Sequence, residues 1–324
     1  MDMQPGAAWG RHDALRMSAE HYRIAGLHLA LDKARCRFAP AWRGFDSYTL
    51  RAAPSRRPDI RIEAFAGALP NLDNARLLER GPGFWSAYAL GDRTLFTCQG
   101  KGKHSAVWRV IVSDKAARHF EVITSPQASF LERDAALPDP LAFPSAELMV
   151  LSHIASREAS ILHACGVRDH ENFGAGYLFC GRSGAGKSTT ARLWQGHGEV
   201  LNDDRVMLRK DRGRFRVHGT PWHGDLAVTN PGSAPLQAVF FLEHAAAHQI
   251  IALSPEAAQQ QLLTSAWLPL WDRTGGVANT MSLCRELVRA VPCYRLRFRR
   301  DSDVIHLVRA AAMSRSQEPL AVPA

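Results

Sequence analysis

The sequence has no apolar run approaching the roughly 18 residues that a membrane-spanning helix needs, so no membrane span is expected. Met1–Glu20 contains no apolar core of a signal peptide, and the cytoplasm is the expected compartment. Cysteine is sparse: the six residues, Cys36, Cys98, Cys165, Cys180, Cys284 and Cys293, are scattered without a CxxC pair. They read as reduced, buried thiols rather than a disulfide framework. His163 and Cys165 come nearest to a zinc pair, and two ligands fall short of the four a structural zinc takes. Internal repeats and low-complexity segments are absent as well. No nucleic-acid motif accompanies the net charge of +9, so no nucleic-acid partner is expected.

What is present is globular in composition, 46% apolar and 22% charged over 324 residues, enough for one large domain or two ordinary ones. Residues 1–19 lack apolar patterning and read as a flexible tail, as do residues 314–324. Residues 20–145 form a β-rich region of short alternating runs: Tyr22–Leu31, Ser47–Ala52, Asp59–Phe65, Phe84–Leu90, Thr94–Cys98, Ala106–Val112 and His119–Ile123. That spacing predicts an antiparallel sheet. Residues 146–313 are mixed, opening with helical spacing over Glu147–Ser160. Strands are predicted at Ser160–Val167, Gly176–Cys180, Glu199–Asn202 and Ala238–Leu242, with a hairpin of Val206–Arg209 and Phe215–His218. Helices are predicted over Lys187–Gln195, from the Ser254–Pro255 cap, over Thr280–Ala290 and over Asp303–Ala312. In Cys293–Arg299 three apolar residues alternate with Arg295, Arg297 and Arg299, a half-buried strand with a basic face.

The chemistry concentrates at Gly181-Arg-Ser-Gly-Ala-Gly-Lys-Ser188, which fits the phosphate-loop pattern G-x-x-x-x-G-K-[ST]. The pattern lies where its mechanism needs it, after an apolar strand and at the start of a helix. Glycines let successive amides turn inward around phosphate oxygens, and the helix N-terminus adds its positive end. Gly181, Ser183, Gly184, Ala185, Gly186, Lys187, Ser188 and Thr189 are the candidate nucleotide contacts. Lys187 supplies charge to the β and γ oxygens, and the Ser188 hydroxyl is a Mg²⁺ ligand.

Downstream, Leu201-Asn-Asp-Asp-Arg205 ends a short strand. Paired carboxylates beside a phosphate loop can hold Mg²⁺ or accept a proton from an attacking hydroxyl. The segment His218-Gly-Thr-Pro-Trp-His-Gly-Asp225 is rich in glycine, aromatic and ionisable residues. His218, Trp222 and His223 are therefore candidate substrate contacts, with core filling an equal reading for Trp222.

Four blocks in order, Ile161–Ala164, Gly181–Thr189, Leu201–Asp204 and His218–Gly224, resemble the HPr kinase/phosphorylase-like P-loop kinases. The resemblance covers roughly residues 150–310 and includes Val291–Phe298 (VPCYRLRF). It implies a P-loop-containing, phosphoenolpyruvate carboxykinase-like mixed sheet of the α/β (α+β) class, with a β-rich N-terminal portion. It implies that His163, Asp203 and Asp204 belong to the active site, one aspartate as base and the other at the metal. With Lys187 of the phosphate-loop pattern they are the candidate catalytic residues, Asp203 read as the base and Asp204 as joining Ser188 at the metal. ATP and Mg²⁺ are the implied cofactors, and a homo-oligomer is the implied assembly. The chain departs from the HPr kinases at Thr189-Thr190, where they tend to carry an acidic residue, and in the His218–Asp225 loop. Its N-terminal region also differs from their regulatory domain. It is similar in this to lasso-peptide tailoring kinases, so the expected acceptor is a serine of a peptide or small protein. Two alternatives stand beside that expectation. One is a small-molecule kinase or carboxykinase-like enzyme, to which Arg205, Arg273 and Arg285 would contribute. The other is a nucleotide-dependent binding module without catalysis.

Overall fold

A computed structural model describes residues 19–33, 36–100, 106–131 and 136–314. The two expected tails thus lie outside the described residues, apart from residues 19 and 314. No helix among the described residues is long and apolar enough to cross a membrane.

The first half supplies β1 (Glu20–Ile24), β2 (Leu27–Asp32), β3 (Thr49–Leu50), β4 (Ile60–Ala66), β5 (Arg76–Arg80), β6 (Trp85–Leu90), β7 (Arg93–Gln99), β8 (Val107–Ser113) and β9 (His119–Thr124). They form one nine-stranded sheet in the order β3-β1-β2-β4-β9-β8-β7-β6-β5. The expectation of an antiparallel sheet is corrected here, because β2 pairs with β4, and β4 with β9, in parallel. Long connections separate those strands in sequence, and parallel pairing needs such crossovers. Tyr22–Leu31 is two strands instead of one. Ala25 and Gly26, both at positive φ (48° and 82°), make the two-residue turn of a hairpin. Most of Ser47–Ala52 is likewise not strand, since a 3₁₀ turn spans Arg43–Tyr48.

The second half begins with α1 (Ser145–Ile154), β10 (Ala159–Asp169), β11 (Ala175–Cys180) and α2 (Lys187–Trp194). It continues with β12 (Gly198–Asn202), β13 (Arg205–Asp211), β14 (Arg214–His218), β15 (Ser233–His244), β16 (Gln249–Ala252), α3 (Pro255–Ser265), α4 (Gly276–Ala290), β17 (Cys293–Phe298) and α5 (Asp303–Ser314). Eight strands pair in the order β11-β10-β13-β14-β15-β17-β16, with β12 on β10. At its centre β11, β15 and β17 run parallel. The continuous apolar run of β15 is explained by cover on both faces. Val239 and Phe241 pack with Leu262, Cys284 and Leu287 of α3 and α4. Phe240 and Leu242 pack with Ala191, Trp194, Ile305 and Val308 of α2 and α5. The two halves share a core in which Ile161, Met207, Trp222 and Trp271 join Tyr22, Phe45, Trp85 and Phe96.

Two buried arginines act as joints. Arg109, fully buried, donates to the carbonyls of Pro138 and Asp139 at 2.6 and 3.0 Å and to Ser145 Oγ at 3.0 Å. It thereby fixes the entry to α1. Arg309 of α5 grips Asp169 at the end of β10 with two bonds of 2.8 and 2.9 Å, and Glu171 with a third. Asp169 is wholly buried, so removing its partner leaves an uncompensated charge. Arg309→Leu is expected to cost about 3–5 kcal/mol of stability in urea unfolding. An unchanged unfolding midpoint would show that the clamp is not holding α5.

Candidate active site

Cys180 ends β11, and Gly181–Gly186 turns into α2 through Gly184 and Gly186, at φ 81° and 108°. Both lie in the left-handed region that glycine adopts without strain. A Cβ on Gly181 would stand 2.7 Å from Ala185 Cβ, so the loop closes tightly on itself. No side chain caps the N-terminus of α2, which leaves its first amides facing the loop. Lys187 folds back over the loop, its Nζ donating to Gly181 O at 2.8 Å and Arg182 O at 3.2 Å. Burial holds its ammonium below the ordinary lysine range, with Asp204 pulling the other way.

The aspartate pair enters from β12 and β13. Asn202, fully buried, accepts from the amides of Asp204 and Arg205 at 2.8 and 2.7 Å. Its Nδ2 donates to the carbonyls of Thr220 and Trp222 at 2.9 and 3.1 Å. The turn carrying the carboxylates is thus fastened to the 219–226 loop. That loop returns two amides to Asp203, Gly224 N to Oδ1 and Leu226 N to Oδ2, each at 3.0 Å. A Cβ on Gly224 would lie 2.8 Å from both Asp203 Oδ2 and Asp204 Cβ, so only glycine fits against the pair.

Asp204 is held from two sides, by His163 Nδ1 at 3.3 Å from Oδ1 and Arg205 Nη1 at 2.9 Å from Oδ2. Burial lowers the His163 pKa against the raising effect of Asp204, which favours the neutral ring near pH 7. Arg205 also approaches Glu147 at 3.3 Å and lies over the rings of Trp267 and Phe143, at 5.1 and 5.7 Å.

These groups meet in one cleft of about 440 Å³, lined by His163, Ser183, Gly184, Gly186, Lys187, Ser188, Thr189, Asp203 and Asp204. Gly224, Asp225, His244 and Arg300 complete it. The donor set suits Mg²⁺, which takes a hydroxyl, one or two carboxylates, phosphate oxygens and water. Ser188 and Asp204 would hold it. Among the described residues no cluster of three or more His, Cys, Asp or Glu forms a self-sufficient metal cage.

Other sequence candidates lie outside this lining. Trp222 is 2% exposed and belongs to the core joining the two halves. His218 sits in β14, in register with Met207 and Ser233, and burial beside Arg209 and Arg216 lowers its pKa to about 4. His223 lies under Trp42, ring centroids 4.4 Å apart, next to the lining residue Gly224. Arg273 is spent on the carbonyls of Gly91 and Arg93, and Arg285 on Ser282. Asn202, Asp225, His244, Arg300 and Glu147 were not singled out from sequence. The first two stand inside the quoted blocks, whereas the other three come from distant elements that no local pattern connects.

Glu147 is 1% exposed, and burial outweighs Arg205 to push its pKa up to about 7. Its folded pKa lies above its unfolded value, so the protonated form favours folding. That contribution is full below about pH 4.5 and is lost as pH rises through 7. Relative to Glu147→Gln, the native protein is expected to lose roughly 2–4 kcal/mol of stability between pH 4.5 and 8. Parallel stability profiles across that window would refute the buried-carboxyl assignment.

No curated protein matches the chain. Among solved structures it is similar to the Hpr(Ser) kinase/phosphatase from Coxiella burnetii at 11% identity, over 48% of this chain and 98% of that one. The TM-score is 0.28, and a likeness of that size carries no weight in the functional reading. A family model, the SynChlorMet cassette protein ScmC, matches residues 141–302, which contain the whole cleft. That span is half of the chain, and the chain belongs to the ScmC family.

Proposed function

We propose that the chain is an ATP- and Mg²⁺-dependent phosphotransferase that moves the γ-phosphoryl group to a hydroxyl, a serine of a peptide or small protein. The observation that carries the reading is convergence: phosphate loop, Lys187, Ser188, both aspartates and His163 line one cleft. Phosphoryl transfer asks for little beyond positioning and charge neutralisation. Lys187 leaves the loop carbonyls for phosphate oxygens, exchanging neutral partners for charged ones. Asp203, oriented by two backbone amides, takes the proton of the acceptor hydroxyl as its oxygen bonds to phosphorus and the bond to ADP breaks. Asp204 and Ser188 would hold the metal, which would supply neutralisation of charge on the phosphates, and His163 and Arg205 fix Asp204.

The acceptor side supports a peptide over a small acid. Exposed Phe143 lies under Arg205, which binds Asp204, and exposed Trp42 lies beside His223, next to Gly224, which binds Asp203; both are apolar footholds near the cleft. A carboxykinase would want arginines converging on a small anion, and Arg273 and Arg285 are engaged elsewhere.

The test is transfer from γ-labelled ATP with Mg²⁺ to the small proteins and peptides encoded beside the gene. Lys187→Ala is expected to abolish labelling. Asp203→Asn is expected to lower it at least about 10²-fold while ATP still binds. Normal transfer by Asp203→Asn would remove the base assignment. Tight Mg²⁺-dependent ATP binding with no labelled acceptor would favour a small-molecule kinase or a nucleotide-gated module.

A further inference from the structure

The parallel strands β11, β15 and β17 all finish on the edge that carries the phosphate loop. His244 closes β15 and Phe298 closes β17, and the two are register partners. Their rings stack, with centroids 5.7 Å apart and planes inclined by 27°. Phe298 is buried, whereas His244 is exposed and lines the cleft beside Ser183, Gly184 and Lys187. One face of the imidazole therefore rests on an aromatic ring, and the ring borders the space that would hold phosphates.

The ring is also fixed in place. His244 Nε2 donates to Gly184 O at 2.8 Å, since a carbonyl can only accept. A Cβ on Gly186 would come within 2.7 Å of Phe298 Cζ and 3.2 Å of His244 Cε1, so the stacked pair is packed directly against the loop. His163 and His244 are the two ring-bearing residues of the lining, and His163 is taken by Asp204. Arg300, on the same lining, makes no ion pair or side-chain hydrogen bond among the described residues, leaving a cation uncommitted near the ring.

We propose that His244, backed by Phe298, is the stacking platform for the base of the bound nucleotide, a planar heterocycle such as a purine. The proposal rests on the nucleotide-binding reading given above and adds where the nucleoside end lies. Stacking needs only a π-face, so ATP and GTP should bind with similar affinity.

Calorimetric titration of the full chain with Mg·ATP and with Mg·tripolyphosphate, which has the phosphates but no base, tests it. The native protein should bind ATP more tightly than tripolyphosphate. His244→Ala should weaken ATP about tenfold more than it weakens tripolyphosphate, as expected for losing one base–aromatic stack. His244→Phe keeps the π-face without the Gly184 bond and should restore ATP binding. Equal weakening of both ligands in His244→Ala would overturn the platform, because His244 would then act only through the loop. No weakening of either would also overturn it. A native protein that binds neither ligand would defeat the phosphate-loop reading itself, a different failure from equal binding of the two, which defeats the platform alone.

Discussion

The buried side chain of Asn202 is the point on which the aspartate side of the cleft depends. Each of its four hydrogen bonds is worth only about 1 kcal/mol net, but an unsatisfied buried partner costs more, roughly 1–3 kcal/mol. The partners are the amides of Asp204 and Arg205 and the carbonyls of Thr220 and Trp222, so one amide group sets both the carboxylate turn and the loop facing it. Thr220 Oγ1 adds a 2.6 Å bond to Arg205 O across the same junction. Once the loop is set, the Gly224 and Leu226 amides reach Asp203, and glycine at 224 follows from the 2.8 Å that a Cβ would have left.

The side formed by the glycine-rich loop has a different origin. Parallel strands covered on both faces by helices expose only their ends, and ligands of open α/β sheets bind beyond the carboxyl ends of such strands. Here the covering is divided between α3 and α4 on one face and α2 and α5 on the other. Much of the positive charge is committed elsewhere, Lys187 and Arg300 being the cations that line the cleft. Arg109 and Arg309 are spent inside the fold, and Arg297 and Arg299 pair with Glu243 and Asp301. The basic face read from the alternation of Cys293–Arg299 is therefore partly neutralised.

The legible parts of the sequence were those where one local rule decides. The glycine-rich turn between β11 and α2 was readable because strand, glycines, lysine and helix are contiguous. The cap of α3 was readable because Ser254 accepts from Ala257 N and Pro255 follows it. The end of β1 was not, because it depends on Ala25 adopting a positive φ that alanine rarely takes. The start of α4 at Gly276 was missed for a similar reason: its N-cap is Gly275, at a positive φ of 101° and with no capping side chain, and Asp272, four residues upstream of Gly276, accepts from the Gly276 amide. β5 carries no alternation because it is an exposed edge, and parallel pairing of β2, β4 and β9 is non-local by nature. His244, Arg300 and Glu147 reach the site through tertiary pairing, which no single segment announces.

The central claim is that Lys187 and its loop hold the phosphates of a nucleotide, and ligand-induced stabilisation tests it most directly. Binding to the folded state alone stabilises it by an amount set by ligand concentration over Kd. The account predicts that Mg·ATP raises the melting temperature of the native protein and not that of Lys187→Ala. Equal melting temperatures with and without Mg·ATP, or the same rise in Lys187→Ala, would contradict it.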